Sequence, residues 1–264
     1  MATEHHLLVV IDPTQTVHPS LEAVMAWAKK TPERMKLTFL LIASDQTRKN
    51  VDLTYMTCSG DWVKDTIYQP LADLGCEFNV LISWSRDWSE TLIELEVQLD
   101  IDLTIIPYYE GVSADILSEE NWKLLRKSQH PILIARHKPD GFEPRILAAV
   151  KDQDERFEER NTRVLSAGKQ LAEDFNLDLH IVNAYSDSMN FPDRTRISNT
   201  TGVANENVHV KIGEPAAVIK EVASEINAGM VIVSSHKRSG LQGMLRGNTV
   251  EKIMGGVGRD ILMV

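Results

Sequence analysis

The stretch Val231–Thr249 reads VIVSSHKRSGLQGMLRGNT. An apolar run gives way to the hydroxyls of Ser234 and Ser235, the side chains of His236, Lys237 and Arg238, and glycines at Gly240, Gly243 and Gly247. Hydroxyls and cations hydrogen-bond phosphate oxygens. Glycines let backbone N–H groups approach an anion with no Cβ in the way, and the free N–H groups of a helix start complete such a cradle. The chemistry on offer is the binding of a phosphate or another small anion. The same residues also fit a plainer reading as a solvated basic loop. There Asn248 caps a helix and Glu251 closes a capping box ahead of Val250, Ile253, Met254 and Val257. The two readings compete, because a side chain that occupies those N–H groups excludes a phosphate.

Other residue groups offer less. Trp84-Ser85-Arg86-Asp87-Trp88 places an arginine between tryptophans. That sets a cation–π platform for an aromatic ligand against a loop wedged onto its own domain or a partner. Asp152, Asp154 and Glu155 suggest paired carboxylates for acid–base work, yet no nucleophile or electrophile clamp stands beside them, so a solvated turn is preferred. His5, His6, His180 and His209 have no cysteine or carboxylate at metal-ligand spacing and are read as structural or solvent-exposed, with no metal expected. A P-loop with its Lys-Ser/Thr ending is missing from the sequence.

These residues must be held by some scaffold. The 264 residues suffice for two ordinary domains, and a net charge of −10 argues against general nucleic-acid or membrane-surface binding. Two cysteines, Cys58 and Cys76, are too few for a disulfide framework. No basic-then-apolar leader opens the chain and no apolar run approaches a bilayer span, so a soluble cytoplasmic protein is expected.

The chain is written twice. Trp88–Ile106 (WSETLIELEVQLDIDLTII) aligns without a gap on Pro215–Val233 (PAAVIKEVASEINAGMVIV), Leu92 on Ile219 and Leu99 on Ile226. Each copy carries a helical apolar stripe that turns into a short apolar strand. Leu7–Asp12 and Ile146–Lys151 open the halves, Leu37–Ala43 and Leu179–Ala184 supply second strands, and PILIA at 131–135 matches DILMV at 260–264. Alternating strands and helices predict α/β domains with parallel sheets, one at 1–138 and one at 143–264, joined by His137–Pro144. In such sheets ligands bind beyond the carboxyl ends of the strands, at the switch in strand order. That marks Asp12, 107–111, Lys151, 213–215 and 234–249.

VVIDPTQ, WKLLRKSQHPILI, KIGEPAAVIKEVASEINAGMVIV and LRGNTVEKIM, in this order, resemble tandem members of the universal stress protein family along essentially the whole chain. The resemblance implies two five-stranded domains, related to adenine-nucleotide alpha-hydrolase-like folds, that pair internally through their last strands as a pseudo-dimer. Leu133–Ala135 would then lie beside Ile261–Met263, and higher oligomers are compatible with it. It also implies a loop of the form Gly-x2-Gly-x9-Gly-Ser/Thr for ATP phosphates, with Mg as the accompanying ion, and an acidic residue at the end of strand one near the adenine. On this chain the glycines fall on Ser234, Lys237 and Gly247, the Ser/Thr on Asn248, and the acidic position on Asp12 in the first half but Lys151 in the second. Two signature glycines are therefore replaced, which puts ATP with Mg in doubt.

In the first half the loop PYYEGVSADILSEENWK lacks the glycines and adds Glu110, Asp115, Glu119 and Glu120, so the first domain reads as a degenerate site. Family domains carry a helix after strand two. Asp61–Leu74 supplies one through Val63, Ile67 and Leu71, whereas Ser186–Asn207 reads as loop, either a cover over the second-domain pocket or a mobile connection. The expected site is thus in the second domain. It comprises Val150, Lys151, Gly213, Pro215 and Ser234 with Ser235, His236, Lys237 and Arg238, then Gly240, Gly247, Asn248 and Thr249. The leading expectation is a non-catalytic stress-response protein with an unidentified small-molecule ligand. A ligand-free interaction scaffold is the alternative, and an ATP-hydrolysing or nucleotidyl-transferring enzyme the third reading.

Overall fold

A computed structural model describes residues 5–42, 60–83, 87–110, 117–138, 141, 143–186, 191–234 and 249–264. The chain divides into two compact units, Met1–Gly141 and Phe142–Val264.

In the first unit β1 (His5–Ile11), α1 (Pro19–Ala28) and β2 (Met35–Ile42) are followed by a helical segment at 60–72, α2. Then come β3 (Glu77–Ser83), α3 (Trp88–Gln98), β4 (Leu103–Tyr108), α4 (Glu119–Lys127) and β5 (Ile132–Arg136). The second unit runs β6 (Arg145–Val150), α5 (Glu158–Phe175), β7 (Asp178–Tyr185), α6 (Arg194–Thr201) and β8 (Val208–Ile212). It ends with α7 (Pro215–Glu225), β9 (Met230–Val233), α8 (Thr249–Gly256) and β10 (Asp260–Met263). The sheet orders are β3-β2-β1-β4-β5 and β8-β7-β6-β9-β10, and the pairings within each unit are parallel. Each chain path leaves its first strand toward one edge and returns to place the fourth strand on the other side. The switch points are therefore β1/β4 and β6/β9. No described helix is long and apolar enough to cross a membrane.

The alternation follows from burial on both faces. Leu7 to Ile11, Leu103, Ile105 and Ile106 in one unit, and Ile146 to Ala148 with Met230 to Val233 in the other, are all buried. Such continuous apolar runs suit central parallel strands covered by helices.

Duplication reaches individual hydrogen bonds. Asp102 N donates to the His6 carbonyl at 2.9 Å, and Gly229 N, its aligned partner, donates to the Arg145 carbonyl at 2.8 Å. The carbonyl of Leu99 accepts from His6 Nδ1 at 2.9 Å, and that of Ile226 accepts from Arg145 at 2.8 Å. A carbonyl only accepts, so His6 Nδ1 is the donor to Leu99, while Nε2 stands 2.8 Å from the Thr38 hydroxyl. His6 thus has a structural role. Asp100 and Asn227, also aligned, both turn the chain with φ near the left-handed region, 52° and 49°. Gly229 stands where Asp102 stands in the first unit. A Cβ there would meet the Glu143 carbonyl oxygen at 2.2 Å, so no larger side chain fits.

Two expectations change. Residues 60–72 are helical with Ile67 and Leu71 buried, but Lys64–Tyr68 is a π turn, and Val63 is half-buried. Pro70 has no N–H to offer the Thr66 carbonyl, and the wider turn accommodates that gap. Ser186–Asn207 contains a helix, contrary to its reading as loop. Asp193 accepts from Thr195 N and Arg196 N, Gly202 closes the far end at φ 71°, and Ile197 and Thr201 are buried. Burying Ile197 stabilises by about 1.5–3 kcal/mol, enough to offset the weak helix propensity of RTRISNTT.

Candidate functional site

At the second unit's switch point Val150 ends β6 and Lys151 follows it. Gly213, after β8, has φ 148° and donates its N–H to the Tyr185 carbonyl at 2.8 Å. Pro215 opens α7, Ser234 follows β9, and Thr249 opens α8. These six residues, all expected at the site, line one cleft of 680 Å³ within the second unit. That is a usual size for a small-molecule site. Ser235, His236, Lys237, Arg238, Gly240, Gly247 and Asn248 lie outside the described residues, as do Trp84, Ser85 and Arg86.

The cleft joins apolar walls, among them Val182, Ile219 and Val233, to three cations, Lys151, Arg156 and Arg160. Asn161 clamps the peptide of Lys151 from both sides, accepting from its N–H and donating to its carbonyl, each at 3.0 Å. Lys151 Nζ and the Arg160 guanidinium lie 4.4 and 4.9 Å from the centre of the Phe157 ring, within cation–π range. Gln153 donates to the Ala184 carbonyl at 3.3 Å and leaves its Oε1 buried without a partner among the described residues. That atom is an acceptor for a ligand amine or a water.

Asp152 and Asp154 lie at the turn that follows β6, and both carboxylates are ion-paired. Arg156 grips Asp154 with two bonds of 2.8 Å, Lys151 Nζ stands 3.4 Å away, and the Asp152 carboxylate bonds Arg196 of α6. The Arg156 side-chain bonds, above all, hold the Asp154 carboxyl well below the usual carboxylate range. It is the one carboxylate among the described lining residues, and as a locked anion it is a poor proton donor or acceptor. Glu155 sits in a short 3-10 turn at Glu155–Phe157.

Three contributors escaped the sequence reading: Arg156, Phe157 and Arg160. They form one surface only because the 3-10 turn runs straight into α5. The run RFEER carries the signal, a phenyl ring with arginines one residue before and three after.

The first unit differs at the matching place. Asp12 is occupied by its own loop, accepting from Thr14 N at 2.9 Å, Thr14 Oγ1 at 2.6 Å and Gln15 Nε2 at 3.5 Å. Burial, then the Asp12 charge, pushes the Tyr109 phenol far above its ordinary value. Arg136 stacks on Tyr108 at 3.8 Å and meets Glu110 at 3.4 Å, so its guanidinium already has a carboxylate partner. Asp87 and Glu214, aligned across the repeat, cap α3 and α7, and each bonds a lysine of the next helix, Lys123 and Lys252.

The profile of the universal stress protein family matches residues 144–264. "Universal stress protein E homolog" of Haemophilus influenzae is 30% identical over 209 residues, covering 69% of this chain and 67% of that protein. The chain belongs to the universal stress protein family. Similarity extends over both units: Universal stress protein E of Photorhabdus laumondii is 22% identical over 303 aligned positions, spanning 100% of this chain and 96% of the relative. Among solved structures, a functionally unknown protein of Pseudomonas aeruginosa PAO1 gives a TM-score of 0.77 at 21% identity, over 99% of this chain and 92% of that one. A universal stress protein from Archaeoglobus fulgidus gives 0.73 at 16%, over 99% and 96%. At those identities the likeness concerns the universal stress fold.

Proposed function

We propose that this universal stress protein is a non-catalytic, cytoplasmic binding protein whose second unit takes a small phosphate-bearing ligand of the nucleotide class. The observation that carries the reading is the cleft at the β6/β9 switch point, which combines Lys151, Arg156 and Arg160 with apolar walls and, among the described lining residues, only one carboxylate, already paired. Gln153 Oε1 gives a polar fragment of that ligand an unfilled acceptor. Lys151, in place of an acid at the end of the first strand, favours an anion over an adenine amine there. A ligand that binds one state better shifts the population toward it, and that shift would be the signal passed to partners. The last strands, Leu133–Ala135 and Ile261–Met263, are the proposed internal pairing edges.

The test is thermal unfolding with and without millimolar Mg-ATP, AMP or inorganic phosphate, repeated on Ser234→Trp, which adds bulk at a residue that lines the cleft. A ligand present at 100 times its dissociation constant adds about 2.7 kcal/mol. The expected result is a rise in Tm with at least one phosphate compound, lost in Ser234→Trp. No rise with any of them, or an equal rise in the folded variant, rejects the site and leaves the scaffold reading.

A further inference from the structure

Among the described residues, β3 (Glu77–Ser83) is the edge strand of the first unit: it pairs with β2 and stands last in the strand order. Phe78, Val80, Leu81 and Ile82 of this strand are large and apolar, yet none is buried, whereas every residue of β2 but Lys36 is. Ile82 is 51% exposed, and Tyr68, 47% exposed, meets the Phe78 ring edge-on at 4.9 Å. An edge strand offers unpaired N–H and C=O groups to another chain, and proteins usually block it with lysine, proline or a bulge. β3 has neither lysine nor proline, and its register with β2 runs without a bulge. Its one charged residue, Glu77, lies at its end and meets Lys36 at 3.7 Å. The edge strand of the second unit, β8, is shorter and carries Lys211.

We propose that β3 is a self-association edge, which joins two copies of this chain by antiparallel pairing about a two-fold axis. An axis perpendicular to the sheet leaves each face on its own side, and directly opposed residues share a face. With the axis at Val80 the whole strand pairs: Glu77 opposes Ser83, Phe78 opposes Ile82, Asn79 opposes Leu81, and Val80 opposes its own copy. Phe78, Val80 and Ile82 alternate onto one face, so both copies together make one apolar stripe across the junction.

The occupant is a second copy because β3 complements itself in this register. The exposed Ile82 of one copy is covered by Phe78 of the other and by the Tyr68 ring that stands against it. Aromatic and β-branched side chains set opposite each other stabilise antiparallel strands. Like charges do not meet, since Glu77 opposes a serine. An isologous contact of this kind uses the same patch on both copies and closes at a dimer, without growing into a filament. One short strand edge is a small interface beside the roughly 1,200–2,000 Å² of stable complexes, so the dimer is weak and forms as concentration rises. It is separate from the internal pairing edges proposed for β5 and β10 and joins one tandem chain to another.

Sedimentation equilibrium of the full chain over a range of concentrations tests this on the parent, Ile82→Lys and Ile212→Lys. Ile82→Lys sets an unpaired charge in the middle of the stripe, while Ile212→Lys makes the same change on the exposed end of β8. The expected result is a monomer–dimer equilibrium whose dissociation constant rises at least about tenfold in Ile82→Lys and is unchanged in Ile212→Lys. A parent that stays monomeric throughout overturns the proposal. A dimer that survives in folded Ile82→Lys, or that is lost in Ile212→Lys, also overturns it and assigns association to another surface. Should Ile82→Lys fail to fold, amide exchange of the parent decides. Protection of residues 77–83 that increases with chain concentration is expected, and protection that does not change contradicts the edge.

Discussion

The Glu96 carboxylate is buried in the first unit and accepts from the Thr104 hydroxyl at 2.7 Å, while the aligned positions in the second unit are the buried Ala223 and Val231. Thr104→Val leaves a carboxylate without that donor and is expected to cost about 1–3 kcal/mol in urea unfolding. Adding Glu96→Met should recover much of the loss, because an apolar pair of similar volume removes the unmet acceptor. Failure to recover would mean that the pair is held by more than this bond. Asp87 supplies a pH test. Hydrogen bonds from Lys123 and Ser89 draw its pKa down to about 2, against an unfolded value of about 3.9. A group depressed on folding stabilises above its unfolded pKa and loses that contribution as pH falls through the folded one. The Tm gap between the parent and Asp87→Asn, which retains a capping side chain, should hold above about pH 4 and close as pH approaches 2. A gap that does not change across that window rejects the bond to Lys123. Residue types such as these are written in the sequence, but their partners are not. Nothing in a linear reading ties Glu96 to Thr104 or Asp154 to Arg156 and Lys151.

Elements were legible wherever apolar spacing decided them. Trp88–Ile106 and Pro215–Val233 become the aligned pairs α3–β4 and α7–β9, with the same left-handed residue, Asp100 or Asn227, in the turn. Helix α6 was missed because Ser, Asn, Thr and Pro dominate its surroundings, and its order comes from the Asp193 cap and the burial of Ile197 and Thr201. Asp193→Ala should therefore cost about 1 kcal/mol and melt 194–201 ahead of the rest, as amide exchange would report. Uniform protection across α6 and β7 in that variant would show that packing alone holds the helix. The turn before β9 is decided by close approach instead. Gly229→Ala meets the Glu143 carbonyl and should cost about 1–3 kcal/mol or more, while Gly60→Ala, with open space around it, should be nearly silent in the same unfolding assay.

At the scale of the molecule, duplication has kept the scaffold and let the two switch points diverge. The first keeps an acid, Asp12, tied into its own loop beside the half-buried Tyr109. The second replaces that acid with Lys151 and gathers two more cations around a phenyl ring. Strand alternation marks where such crevices are expected, since sheet topology fixes the carboxyl ends of the strands and the switch in their order. The cationic lining could not be read the same way, because Arg156, Phe157 and Arg160 converge only once the 3-10 turn and α5 are built. His180 and His209, hydrogen-bonded to each other, likewise meet only through the β7–β8 register. The most direct test of the central claim is an amide-resolved NMR titration of the full chain with Mg-ATP and with AMP. Saturable shifts confined to the second-unit cleft, at Lys151, Asn161, Gly213 and Ser234 and their neighbours, are the expected result. Shifts centred on Asp12 and Tyr109, or none at millimolar ligand, would contradict it.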